Sequence, residues 1–321
     1  WDSPDLTTLM ELAALNEASI GDLAVGSSLV LLIHRLRHRL RENTQRGSRR
    51  NISSHYDLGN DFYAHWLDDG MTYSSALFAT PEQPLRHAQD AKYGRLADLL
   101  DLRADQHLLE IGCGWGGFAE RVAAAPGCRV TGVTLSAQQA AFARERVRAA
   151  GLEQRVTIQL QDYREVPGRF DRIASIEMFE AVGEAYWPTF FAVLRDRLVS
   201  GGIAAMQVIT IEEARFGAYR RGADFIQHYI FPGGMLPTVS ALSREIGRAG
   251  LRLTDRMTFG NSYALTLARW QSRFQKGWPQ IRALGFDERF KRTWEYYLAY
   301  CEAGFRAGSI DVCQLRIEKP A

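Results

Sequence analysis

Residues 107–117 place an acid, Glu110, near the end of an apolar run, and residues 112–117 then hold four glycines. Such a run predicts a buried strand, a tight turn and the start of a helix. Glycine lets the backbone approach a ligand that any Cβ would obstruct. The first N–H groups of a helix have no partners within it, and a carboxylate can hold a cationic or hydroxyl-bearing group. The chemistry this spacing points to is the binding of a nucleotide-like cofactor across a strand–helix turn. The plain alternative is a glycine-rich turn that binds nothing.

Two cofactors compete for the loop. Gly112, Gly114 and Gly117 fit the dinucleotide pattern G-x-G-x-x-G. That pattern also needs an acid about 20 residues on, at the end of the next strand, to take a ribose hydroxyl. The next strand, 128–134, runs into Leu135 and Ser136 with no acid, so the nicotinamide reading loses its second support. The acid precedes the glycines instead, an arrangement that resembles the S-adenosylmethionine (SAM) site of Rossmann-like methyltransferases. Gln161, Asp162 and Tyr163, after a third strand at 156–160, suit the adenine contact of that class.

The elements that must position these groups alternate. Strands are expected at 107–111, 128–133, 156–160, 171–176 and 202–209, and helices at 117–125, 136–150 and 185–198. Alternation of this kind implies a parallel sheet covered on both faces, with ligands at the carboxyl ends of its strands. The predicted class is α/β, a Rossmann-like class I SAM-dependent methyltransferase fold with N-terminal helices and a lid or substrate insertion. The expected division is an N-terminal helical and substrate-entrance segment at 1–85, then a methyltransferase domain at 86–321. The insertion falls at about 211–260, and the remainder reads as helices rich in Trp, Tyr and Phe.

The first 50 residues read as helical and separate. Residues 29–33 are apolar, and seven arginines lie between 35 and 50 against one acid, Glu42. A basic helix beside an apolar stretch suits an anionic membrane surface; a solvated face packed on the domain is the bland alternative. Nucleic acid fits poorly, because no aromatic residues are interleaved there. The 321 residues, 46% of them apolar, suffice for one large domain with additions or for two small ones. A net charge of +2 excludes a polyanion binder by bulk charge. No run of 18 apolar residues occurs, so no transmembrane helix is expected. Cys113, Cys128, Cys301 and Cys313 show no metal-ligand spacing; no metal is expected, and a cytoplasmic, peripherally membrane-associated location is.

Taken in order, residues 55–61, 73–74, 112–117, 132–136, 161–164, 179–180, 229–234 and 293–297, with Cys301, Phe305 and Arg306, resemble the cyclopropane-fatty-acid synthase family of SAM-dependent lipid methyltransferases. The resemblance covers roughly residues 50–320. It implies transfer of a methyl(ene) group from SAM to the double bond of an unsaturated phospholipid acyl chain, forming a cyclopropane, in a protein that is a dimer. The alkene attacks the methyl group and leaves a carbocation. A base, in the family a bound bicarbonate, then removes a proton and the ring closes. Cations favour nearby π faces and carboxylates, and water must be excluded. Aromatics at 56, 62, 63, 66, 73 and 78 suit such a pocket, or an ordinary core.

By the same resemblance, Tyr73, Ser74, Glu110, Gly112, Gly114, Thr134, Leu135, Ser136, Gln139, Asp162 and Tyr163 contact SAM. Ser75, Glu180, Gln207, Ile209 (through its backbone) and Tyr263 cradle bicarbonate. Ser75 stands where the family usually has cysteine and Gln207 where the bacterial synthases usually have histidine; both replacements still hydrogen-bond an anion. Glu177 stands where a small residue is typical. A second carboxylate there can hold the sulfonium, serve as the base, or repel bicarbonate. Cys301 matches a cysteine once assigned a catalytic role, although this chemistry needs no thiol nucleophile. His55 suits a structural turn. The rival readings are methylation or methylenation of the acyl chain without ring closure, a small-molecule N-methyltransferase, and a lipid- or SAM-binding protein without turnover.

Overall fold

A computed structural model describes residues 3–16, 58–222 and 224–321. The basic run at 35–50 and His55 lie outside the described residues.

Seven strands form one sheet: β1 (His107–Ile111), β2 (Arg129–Thr134), β3 (Val156–Leu160), β4 (Phe170–Ile176), β5 (Leu198–Ile211), β6 (Arg252–Thr258) and β7 (Ile310–Glu318). Their spatial order is β3-β2-β1-β4-β5-β7-β6. The first five strands pair in parallel, while β7 runs antiparallel to both β5 and β6. All five strands expected from the sequence are present, as are the helices between them, with ends displaced by a few residues. The order reverses between β1 and β4, and a crevice for ligands opens at that switch point.

In chain order the helices are α1 (Leu6–Leu15), α2 (Asn60–Ala64), α3 (Leu85–Leu99), α4 (Gly117–Ala124), α5 (Ala137–Ala149), α6 (Trp187–Arg197), α7 (Glu213–Tyr219), α8 (Val239–Arg248), α9 (Gly260–Ala283) and α10 (Glu288–Arg306). Side-chain caps start several of them: Asp5 for α1, Ser136 for α5, Thr238 for α8 and Asp287 for α10. One face of the sheet is covered by α6 and α8, which bury Phe190, Phe191, Leu194, Leu242 and Ile246 against β4 and β5. The other holds α3, α4 and α5, whose Leu96, Phe118, Val122 and Val147 meet β1 to β3.

Two strands after residue 250 were not foreseen. β6 is the edge strand, and five of its seven residues are exposed, so no apolar alternation marks it. β7 is buried at Val312, Cys313, Leu315 and Ile317, but Asp311, Gln314 and Arg316 interrupt the apolar pattern on which a strand reading relies. Consequently α8 and β6, assigned from the sequence to an insertion at about 211–260, belong to the layers of the sheet. The segment outside those layers is shorter: α7, a single π-type turn at Ile226–Ile230, and the loop that follows.

Between β6 and β7 the chain makes the long hairpin α9–α10. It buries Trp270, Phe274, Trp294, Tyr297 and Leu298 with Phe62, Tyr63 and Trp66 from the α2 region. Three of the six aromatics suggested for a cation pocket therefore form core: Phe62, Tyr63 and Trp66 are fully buried, and Phe62 lies 5.0–6.5 Å from six neighbouring rings; Tyr56 lies outside the described residues. Both helices of the hairpin pack on β7 and α1 packs on α10; the hairpin's Tyr263, Tyr297 and Phe305 form an aromatic roof that shares one cavity with Glu177 and Ile209.

Candidate active site

A cavity of about 1340 Å³ opens at the carboxyl ends of β1, β2, β4 and β5. Sites for a single drug-sized ligand run to about 1,000 Å³, so there is room for two molecules side by side. Tyr73, Ser74, Glu110, Gly112, Gly114, Thr134, Leu135, Gln139, Asp162 and Tyr163 line one half. Glu177, Glu180, Ile209, Tyr263 and Cys301 line the other.

In the first half the glycine loop does what its spacing predicts. Gly112 has φ +81°, and a Cβ there would lie 2.7 Å from Met178 Cγ, so only glycine fits. Gly114 has φ +51° and faces open space. Glu110 is buried at the end of β1, beside Gly132 of β2 and Ala174 of β4. Its Oε2 has no hydrogen-bond partner among the described residues. Burial pushes this carboxyl up to about 8, against the pull of Lys92. A buried, half-satisfied carboxylate beside an open glycine turn fits the ammonium and hydroxyl groups of SAM.

Several of the expected cofactor residues have other partners. Ser136 does not line the cavity; its hydroxyl accepts from Gln139 N at 3.2 Å and caps α5. Asp162 lines it, but both carboxylate oxygens take Arg164 at 2.6 and 2.8 Å, so any adenine contact shares that carboxylate with an arginine. Thr134 donates to Gln139 Oε1 at 2.8 Å, which orders the Gln139 side chain at the wall. Tyr73 holds Tyr297, hydroxyl to hydroxyl, at 2.8 Å.

The second half differs from the expected bicarbonate cradle. Glu177 accepts from Ser75 N at 2.8 Å and from Gln207 Nε2 at 2.6 Å on one oxygen, and from Tyr263 OH at 2.6 Å on the other. Ile209 N donates to Glu180 at 2.5 Å. The donors expected for the anion thus already hold two carboxylates of this chain. Ser75 and Gln207 are fully buried and do not line the cavity. The Ser75 hydroxyl donates to the Ala76 carbonyl at 2.9 Å, and Gln207 Oε1 accepts from Gln314 Nε2 at 2.9 Å.

Glu177 adopts φ +49°. That left-handed conformation is uncommon outside glycine and costs about 1 kcal/mol or more. Strain of this kind persists where surrounding contacts hold it, and the three donors do so here. Desolvation raises both acids. The donors pull Glu177 back, whereas Glu180 has no side-chain donor among the described residues, feels the charge of Glu177 and rises to about 8. Of the two acids, Glu180 is the one that takes up a proton more readily. Its Oε2 has no partner among the described residues.

Sequence reasoning missed three side chains. Lys92, on α3, is fully buried and donates to Ser74 Oγ at 2.7 Å. Burial lowers its ammonium to about 7, while Glu177, Asp68 and Glu110 oppose the shift. A lone lysine in a helix reads as solvated, so no signal marked it. Trp115 lines the cavity and donates to Asn60 Oδ1 at 2.8 Å. Gln314 reaches the site only through β7. Cys301 lines the cavity as a thiol whose ionisation burial pushes far up, which does not suit a nucleophile. All four cysteines are free, and no metal-binding cluster occurs among the described residues.

A model of the mycolic acid cyclopropane synthetase family matches residues 43–315. The tuberculostearic acid methyltransferase UfaA1 of Mycobacterium tuberculosis (strain ATCC 25618 / H37Rv) is 43% identical over 98% of this chain and 75% of its own length. The cyclopropane-fatty-acyl-phospholipid synthase of Escherichia coli (strain K12) is 40% identical over 81% of this chain and 65% of its own. The crystal structure of mycolic acid cyclopropane synthase CmaA1 complexed with SAH and CTAB superposes with a TM-score of 0.79 at 30% identity, over 84% of this chain and 98% of that one. With the sheet order, the glycine turn and the acid before it, these likenesses place the chain in the mycolic acid cyclopropane synthetase family, as a SAM-dependent methyltransferase of lipid acyl chains.

Proposed function

We propose that the protein methylates or methylenates the double bond of an unsaturated phospholipid acyl chain without closing a ring, and that Glu177 is the base. The observation that carries this reading is the Glu177 carboxylate, held by Ser75 N, Gln207 and Tyr263 where a bicarbonate would need those same donors. SAM supplies an electrophilic methyl group. The alkene is itself the nucleophile, so no side-chain nucleophile is required, in keeping with a neutral Cys301. Glu110 and the glycine turn hold the cofactor. The cation left on the acyl chain sits in a wall of Tyr73, Phe231, Tyr263 and Tyr297, whose faces stabilise positive charge. After a hydride shift along the chain, Glu177 takes the proton and a methylene branch remains. The aromatic roof keeps out water, which would trap the cation.

Ring closure is the second reading. It rests on the unpartnered Oε2 of Glu180: protonated, that oxygen can donate to a bicarbonate held beside Glu177. The two readings separate in one experiment. Unsaturated phospholipid vesicles are treated with enzyme and SAM at graded bicarbonate, and the fatty acids are resolved by mass spectrometry and proton NMR. Branched products formed at full rate without bicarbonate, and lost in Glu177→Gln, support the first reading. Cyclopropanes whose formation needs bicarbonate and survives Glu177→Gln overturn it.

The substrate chain enters beside α1, whose Met10, Ala13 and Ala14 line the cavity while Leu9, Leu12 and Leu15 point outward, each more than half exposed. An apolar helix face beside the opening suits a peripheral seat on a lipid surface. No helix among the described residues is long and apolar enough to cross a membrane.

A further inference from the structure

We propose that Gln314 and Arg95 are positioning residues that set the direction of the Gln207 amide and so keep a hydrogen-bond donor aimed at Glu177; this rests on the reading of Glu177 as the base. A carboxamide donates at one end and accepts at the other, and turning it over exchanges the two ends with almost no change of shape. For Gln207 the two orientations have opposite consequences. With Nε2 toward Glu177, as observed at 2.6 Å, the ionised carboxylate gains a donor. With Oε1 there instead, two acceptors would face each other.

The neighbours forbid the second orientation. Gln207 on β5 and Gln314 on β7 are directly opposed in the antiparallel pair, and both are fully buried. Gln314 Nε2 donates to Gln207 Oε1 at 2.9 Å. The same Nε2 lies 3.4 Å from the Lys92 carbonyl, which can only accept. Gln314 Oε1 accepts from Arg95 Nη1 at 3.3 Å. A guanidinium only donates, so the outer end of the series has one polarity, and each amide inherits it in turn. At the inner end Gln207 Nε2 also reaches the Ser75 carbonyl at 3.2 Å, again an obligate acceptor. Arg95, on α3, is itself held by Asp255 of β6 at 3.5 Å. The result is a directed line of hydrogen bonds from the half-buried face of α3 through the sheet to Glu177.

Nothing in the fold demands these amides. An apolar pair at 207 and 314 would fill the same space without any need for buried partners. What the amides add is a fixed donor on a carboxylate that must stay ionised to accept a proton. The other groups facing Glu177 are Tyr263 from α9, Glu180 from the turn after β4, Lys92 from α3 and the backbone of Ser75.

The test is the pH profile of kcat on unsaturated phospholipid vesicles, using the whole chain, with SAM affinity by calorimetry as a measure of intact folding. In Gln314→Glu an ionised carboxylate offers only acceptors, so Gln207 turns its Nε2 toward residue 314 and its oxygen toward Glu177. Loss of the donor raises the pKa of Glu177. The acidic limb therefore moves up by about one pH unit, and kcat at pH values below the limb falls about tenfold, with SAM affinity unchanged. Arg95→Leu, at the partly exposed end, gives a smaller shift in the same direction. Arg95→Lys keeps a donor-only cation and restores the wild-type profile, which settles the matter should Gln314→Glu fail to fold. A residue that serves packing alone would lower the melting temperature without moving the limb. Profiles of Gln314→Glu or Arg95→Leu that superpose on the wild type overturn the proposal. Glu177→Gln is run alongside: if it is inactive while those variants match the wild type, only the positioning role falls; if it turns over normally, the base assignment falls and the positioning role with it.

Discussion

The two halves of the cavity are built on opposite plans. The cofactor half is local and largely backbone: Glu110, Gly112 and Gly114 lie within five residues of sequence, and one oxygen of Glu110 has no hydrogen-bond partner among the described residues. The base half is assembled from afar. Glu177 takes its donors from residues 75, 207 and 263, from 30 to 102 positions away, and both its oxygens are satisfied by the chain. The contrast teaches how two buried carboxylates acquire different tasks. One is unfinished and is completed by a ligand. The other is complete, oriented and strained, and is ready to exchange only a proton.

The most severe test of this contrast is Glu177→Gln. It keeps the shape and removes the base, so turnover is expected to fall by about 10²- to 10⁴-fold while SAM affinity holds. Loss of SAM binding in that variant would erase the distinction between the halves. The reciprocal change, Glu110→Ala, leaves the base intact and removes a charged partner of the ligand. A weakening of SAM binding by about 10- to 100-fold is expected by calorimetry, with the circular dichroism spectrum unchanged. Unaltered affinity would mean that the acid before the glycines serves only the loop.

Tyr263→Phe sharpens the comparison further, because it takes one donor from Glu177 and nothing from the cofactor. An ionised carboxylate that loses a hydrogen bond protonates more readily, so its pKa rises. Desolvation already holds that pKa above its ordinary 4.5. The wild-type rate is thus expected to fall with decreasing pH above the ordinary glutamate range. In Tyr263→Phe the fall begins at higher pH, and kcat below the limb drops about tenfold. A wild-type acidic limb at or below 4.5 would contradict the role of Glu177. The smallest effect is expected at Cys301, a neutral thiol on the wall: Cys301→Ser should change kcat by less than about twofold, and a collapse of activity there would restore a role for the thiol.

Legibility followed the same division. The strand, the glycine turn and the helix start at 107–124 obey rules that act over a dozen residues, and the structure reproduces them almost to the residue. The donors of Glu177 obey no such rule. Ser75, Gln207 and Tyr263 were named through family likeness as holders of an anion, but nothing in their spacing told that Glu177 occupies their hydrogen bonds. Gln314 carried no mark at all, since a glutamine between Cys313 and Leu315 in a buried strand reads as an interruption. Lys92 gave the opposite of its true signal, because most helical lysines are solvated.

By itself the sequence determined the α/β alternation, the cofactor turn and the presence of two acids, Glu177 and Glu180, within one short segment after β4. Periodicity and glycine chemistry are local properties, and a chain displays them before it folds. Only the tertiary structure decided which acid is held by donors and which is left to carry the proton. That outcome depends on β7 inserting beside β5, on α9 bringing Tyr263 across the sheet, and on burial that raises both carboxyls while three hydrogen bonds oppose it at one. Desolvation and long-range hydrogen bonding exist only once the distant parts are packed together.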